Sequence, residues 1–71
     1  MTQTKNWEQV AGKWKQFSGQ AKKRWANLSD DELMQVNGRR DVLVGKIQAK
    51  YSVAEEEANK QIDEWVSKLR M

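Results

Sequence analysis

Apolar side chains recur every three or four positions along most of this chain, and the first run is the longest. Trp7, Val10, Ala11, Trp14, Phe17, Ala21, Trp25 and Leu28, set at about 100° per residue, fall in an arc roughly 120° wide, which predicts one amphipathic helix. Asn6 precedes the run as an N-cap, with Gln9 three residues later in a capping-box position. Gly12 and Gly19 each cost about 1 kcal/mol of helix propensity relative to alanine, so either another helix approaches closely there or the helix bends.

The segment Leu28-Ser29-Asp30-Asp31-Glu32-Leu33 carries a complete start signal. Ser29 and Glu32 form a capping box, Leu28 and Leu33 a hydrophobic staple, and three acids suit the positive end of the helix dipole. This second helix is short, ends at Asn37-Gly38 and is expected to bury Leu33, Met34 and Val36. Leu43, Val44, Ile47 and Tyr51 then share an arc of about 100° on a third helix. Ser52 and Glu55 repeat the capping-box spacing and open a fourth, on which Ala58, Ile62, Trp65, Val66 and Leu69 line one face. Only Met1 to Lys5 and Met71 look frayed.

Four helical segments in 71 residues leave room for one small domain and no second core. The predicted fold is all-α, a small bundle whose core is Trp14, Phe17, Ala21, Trp25, Leu33, Val36, Leu43, Ile47, Ile62, Trp65 and Leu69. The four tryptophans invite a surface for stacking or anchoring, but Trp7, Trp14 and Trp25 project within about 20° of one another, where a small bundle needs apolar volume. Trp14 and Trp25 are read as core. Trp7, near the chain end, suits either role. A short echo of Gly12-Lys13-Trp14-Lys15-Gln16-Phe17 in Gly45-Lys46-Ile47-Gln48-Ala49-Lys50-Tyr51 is explained by shared amphipathic spacing.

Composition removes most enzyme chemistry. Cysteine, histidine and proline are absent, so disulfides, thiol nucleophiles, imidazole bases and the usual zinc ligands go together. The serines have no histidine partner, and the lysines no evident apolar pocket. Asp30-Asp31-Glu32 and Glu55-Glu56-Glu57 stand at helix starts, where the dipole accounts for them, and neither has calcium-loop spacing. Asn27-Leu28-Ser29 fits a glycosylation pattern, coincidental without a secretory signal. No signal peptide or run of about 18 apolar residues is found, so a cytoplasmic home is expected. No cofactor is expected.

Charge is uneven although the net value is only +3. Residues 1–28 carry +5 and residues 39–51 carry +3, against −3 for 29–38 and −2 for 52–71. Complementary docking of helices explains this pattern. The competing reading gives Lys13, Lys15, Lys22, Lys23, Arg24, Arg39 and Arg40 a role in meeting phosphates of nucleic acid or of an anionic surface.

Taken in order, Trp14-Lys15-Gln16-Phe17-Ser18-Gly19-Gln20-Ala21-Lys22, Trp25-Ala26-Asn27-Leu28-Ser29-Asp30-Asp31, Gly38-Arg39-Arg40-Asp41 and Leu43-Val44-Gly45-Lys46-Ile47-Gln48-Ala49-Lys50-Tyr51 resemble the CsbD-like family of small bacterial general-stress proteins, particularly its short members. Ala26 and Ser52 depart from it, since the family often has glycine after each of those aromatic residues. The resemblance covers nearly the whole chain and implies a single domain over residues 1–71, a four-helix bundle of two packed helical hairpins, a link to bacterial stress and no enzyme activity. The leading expectation is a noncatalytic stress-response protein acting by binding or assembly with an unknown partner. The alternative is binding of nucleic acid or an anionic surface through the basic face of the first helix.

Overall fold

In the computed structural model, residues 3–69 are described, with side chains from Trp7 onward. Five helices follow in order: α1 (Gln3–Gly12), α2 (Trp14–Arg24), α3 (Asp30–Val36), α4 (Arg40–Tyr51) and α5 (Glu55–Lys68). The described residues contain no strand. The all-helical expectation holds, but the described residues form five helices and not four, and an arrangement as two packed hairpins is not established.

The extra helix arises because the predicted first helix is divided at Lys13, whose backbone lies at φ −123°, ψ 38°. Its N–H turns to Val10 O at 3.1 Å, a tighter bond than the α-helical one. Gly12 weakens the helix at this joint. Close helix approach is not the reason for Gly12 or Gly19, because a Cβ on either would meet nothing within 4 Å. Asn6 is not a cap either: α1 already runs from Gln3, so Gln3 to Lys5, expected to fray, are helical. The other residues of the frayed ends, Met1, Thr2 and Met71, lie outside the described residues.

The division lets the aromatic stripe wrap around the core. α1 packs on both α2 and α5, α2 on α3, α3 on α4, and α4 on α5. Trp7 meets Trp14 with ring centroids 5.7 Å apart, Trp14 meets Trp65 at 6.3 Å, and Trp65 meets Trp25 at 5.2 Å, the last two edge to face. This row of four indoles joins α1, α2 and α5, in geometries that aromatic quadrupoles favour. Relative exposures are 6%, 5%, 0% and 7% for Trp7, Trp14, Trp25 and Trp65, so all four are core residues and Trp7 is resolved to that role.

Three of these indoles donate hydrogen bonds that hold one element to another. Trp7 Nε1 donates to Gly38 O at 3.1 Å, Trp14 Nε1 to Leu33 O at 2.7 Å, and Trp25 Nε1 to Gln61 Oε1 at 3.0 Å. Val10, Leu28, Val44, Ala58 and Val66 join the buried core, whereas Phe17 and Leu69 are only partly buried against it. Met34 is a correction, being 52% exposed. On a helix of seven residues, Leu33 and Val36 share the inner face, and Met34, rotated about 100° from Leu33, cannot join them.

The predicted capping box at the start of α3 is present in full. Ser29 Oγ accepts from Glu32 N–H at 3.1 Å, and Glu32 Oε1 accepts from Ser29 N–H at 2.9 Å. Asn37, at φ 48°, and Gly38, at φ 83°, end the helix through the left-handed region. The second capping box does not form. Ser52 is instead the C-cap of α4 at φ 56°, ψ 46°, its N–H bonded to Gln48 O at 2.9 Å, and Ala54 is the N-cap of α5. A capping-box serine needs extended backbone, which Ser52 has given up to close α4.

A left-handed conformation costs a non-glycine residue about 1–2 kcal/mol, offset in part by the greater freedom glycine has in the unfolded chain. Ser52→Gly is therefore expected to stabilise the fold by about 0.5–1 kcal/mol. Urea unfolding of the two proteins measures this, and a lower midpoint for the variant would contradict the assignment.

Candidate anion-binding surface

The seven basic residues singled out in the sequence have two different environments. Lys13, Lys15, Lys23 and Arg24 are exposed on or beside α2, and Arg39 is exposed as the N-cap residue of α4. Lys22 and Arg40 are partly buried and engaged within the fold. Lys22 Nζ donates to Leu28 O at 2.8 Å and to Ala26 O at 3.3 Å, fastening the connection from α2 to α3. The same connection is held from α4, where Tyr51 Oη accepts from Asn27 N–H at 3.1 Å.

Arg40 clamps the start of α4 to α5. Its Nε donates to Asn59 Oδ1 at 3.0 Å, and its Nη2 to Asn59 O at 3.2 Å and to Asp63 Oδ1 at 2.6 Å. The guanidinium also lies 5.9 Å from the Trp7 ring centroid, within cation–π range. Position in the last turn of a helix, where lysine reaches loop carbonyls, was the available signal for Lys22. No local signal links Arg40 to Asp63.

Charge complementarity is realised around α4 and not around α2. Among the described residues the ion pairs are Arg40–Asp63, between α4 and α5, and Lys50–Glu32 at 3.4 Å, between α4 and α3. No ion pair joins α2 to the acidic start of α3, although the two helices pack together. From Lys13 to Arg24 the sequence contains no acid. The outer face of α2 therefore carries positive charge that the described fold does not compensate. Arg24 adds a guanidinium 5.2 Å from the Trp25 ring centroid.

Among the described residues Glu32 is the titratable group with a clear shift. The Ser29 N–H, and after it the Lys50 ammonium, hold its carboxyl below the usual glutamate value. A lowered carboxyl pKa contributes stability above the unfolded-state value, which is lost as pH falls through the folded one. Glu32→Gln is thus expected to shallow the loss of stability on acidification. Comparing urea midpoints at neutral pH and near about pH 3 tests this; an unchanged difference would contradict it.

No group of three or more His, Cys, Asp or Glu among the described residues is placed to hold a metal ion. None of the described helices is long and apolar enough to cross a membrane.

The family profile described as CsbD-like matches residues 8–60. A UPF0337 protein of Pectobacterium atrosepticum is 47% identical over 60 residues, which make up 84% of this chain and 87% of that protein. The UPF0337 protein YjbJ of Escherichia coli O6:H1 is 43% identical over 60 residues with the same two coverages. A UPF0337 protein of Nitrosomonas europaea is 46% identical over 57 residues, 80% of this chain and 61% of that longer protein. No solved structure matches the chain. The profile match, together with relatives of this identity spanning most of the sequence, establishes that the chain belongs to the CsbD-like family.

Proposed function

We propose that this protein is a noncatalytic bacterial stress-response protein of the cytoplasm that acts by binding or assembling with a partner. Membership of the CsbD-like family carries the stress association, and a chain without histidine or cysteine has few groups suited to nucleophilic or acid–base catalysis. A second reading, that the partner is a nucleic acid or an anionic surface, is favoured by the uncompensated cations on α2. Lys13, Lys15, Lys23 and Arg24 would meet it directly; Arg39 stands apart at the N-cap of α4, and Lys22 and Arg40 have partners within the fold.

Cross-linking in stressed cells, followed by purification of the full chain, tests both readings. Wild type is expected to carry a partner that Lys15→Glu/Lys23→Glu loses, with no change in fold by circular dichroism. Lys22 is unsuitable for this charge reversal because its substitution removes bonds to Ala26 and Leu28. Equal recovery with both proteins would refute the basic-face reading. Turnover abolished by a single carboxylate substitution would overturn the noncatalytic one.

A further inference from the structure

We infer that the outer ridge of α2 formed by Lys15, Gly19 and Lys23 seats the phosphodiester backbone of a nucleic-acid duplex, an inference that rests on the anionic-partner reading and narrows it. The three residues follow one another at intervals of four, so they line a single ridge of the helix. All three are exposed. The lysines stand about 12 Å apart along the axis, and the residue between them has no side chain.

That glycine has no explanation within the fold. It lies inside an eleven-residue helix, where it costs about 1 kcal/mol relative to alanine. It is not among the glycines with positive φ, and a Cβ there would meet no atom within 4 Å. Glycine's remaining use is to let another chain come close to the backbone. Gly45 is equally open, but its ridge neighbours are Asp41 and Ala49, so it lacks the paired cations and serves as the control. Asp30 lines the depression beside Gly19 from α3, together with Ser18, Leu33 and Met34. Its carboxylate repels an anion and restricts the seat to the solvent side of the ridge.

The absence of exposed stacking groups selects a duplex over a single strand. Proteins hold single strands by stacking bases on aromatic side chains, and here all four indoles are buried, while Phe17 and Tyr51 are half-buried. A duplex hides its bases and presents about one charge per 1.7 Å of axis. An anionic membrane is also a poorer match, since an interfacial helix needs an outward apolar face and Met34, on α3, is the exposed large hydrophobic residue among those described.

The test uses the purified full chain with a labelled random-sequence DNA duplex, single-stranded oligothymidine of equal length, and phosphatidylglycerol vesicles, each over a salt series. Duplex is expected to bind tightest. Its logarithmic salt slope should be about −2, since the ridge lysines Lys15 and Lys23 would each contribute about −0.9. Gly19→Ala is expected to raise the urea midpoint and weaken duplex binding by roughly fivefold, whereas Gly45→Ala raises the midpoint and leaves binding unchanged. Undiminished duplex binding by Gly19→Ala would overturn the seat while leaving the anionic-partner reading intact. Preference for oligothymidine or vesicles would overturn the duplex assignment alone. Binding to none of the three would remove the inference together with the reading beneath it.

Discussion

Replacing Trp25 with alanine is expected to cost about 3–5 kcal/mol of stability, the largest effect of any single truncation in this fold. Trp25 is fully buried. Its ring meets the edge-to-face partner Trp65 at 5.2 Å, and its Nε1–H is bonded to Gln61 Oε1. Truncation leaves a cavity at the end of the indole row and removes the donor from Gln61, which itself donates to Glu57 at 3.2 Å. A chain of this length has a total stability of only about 4–10 kcal/mol. The variant should therefore unfold at a greatly reduced urea concentration or fail to fold at all. A midpoint equal to that of wild type would show that the indole is not where the core needs it.

Gly38→Ala is expected to cost about 2–4 kcal/mol, although it adds a single methyl group. Two independent penalties combine. The backbone at φ 83° is a conformation that an L side chain occupies only with strain. The added Cβ would also lie 3.1 Å from Ala11 O, 3.2 Å from Ala11 Cβ and 3.4 Å from Ala11 Cα, so it presses on the backbone of α1. Gly38 O accepts the Trp7 indole bond as well, and any shift that relieves the clash disturbs that contact. Urea unfolding measures the loss, and an unchanged midpoint would mean that this turn is not docked on α1.

How far the sequence was legible follows from the range of the interactions. The start of α3 was readable because Ser29 and Glu32 satisfy each other's backbone groups within one turn. Its end was readable because Asn37-Gly38 is a local left-handed signal. The joint at Lys13 was legible in part, because a bend was one of the two readings of Gly12 and the break falls at the next residue. A continuous apolar stripe is also compatible with one straight helix, and the packing of α1 on α5, a segment distant in sequence, cannot be read from that stripe. Ser52 shows a local pattern giving way for a related reason: the spacing Ser52-x-x-Glu55 fits a cap, but the residue was needed to close α4.

The candidate surface was legible in charge and not in geometry. Counting residues located the acid-free stretch from Lys13 to Arg24, but one dimension cannot separate a lysine facing solvent from one bonded to loop carbonyls. Lys22 and Arg40 were grouped with the others for that reason, and their distances to Leu28 and Asp63 set them apart. The same holds for the indole partners. A buried tryptophan was expected to need an acceptor, but that Gln61 provides it for Trp25 follows only from the packing of α5.

The burial of all four indoles in one row underlies the account of both fold and surface. Quenching of tryptophan fluorescence by iodide and by acrylamide, in native buffer and in concentrated urea, tests it most directly. The native protein is expected to show blue-shifted emission and strong protection from both quenchers, with protection lost across the urea transition. Native emission quenched as readily as that of the unfolded chain would contradict the structure and restore the tryptophans as an external docking surface.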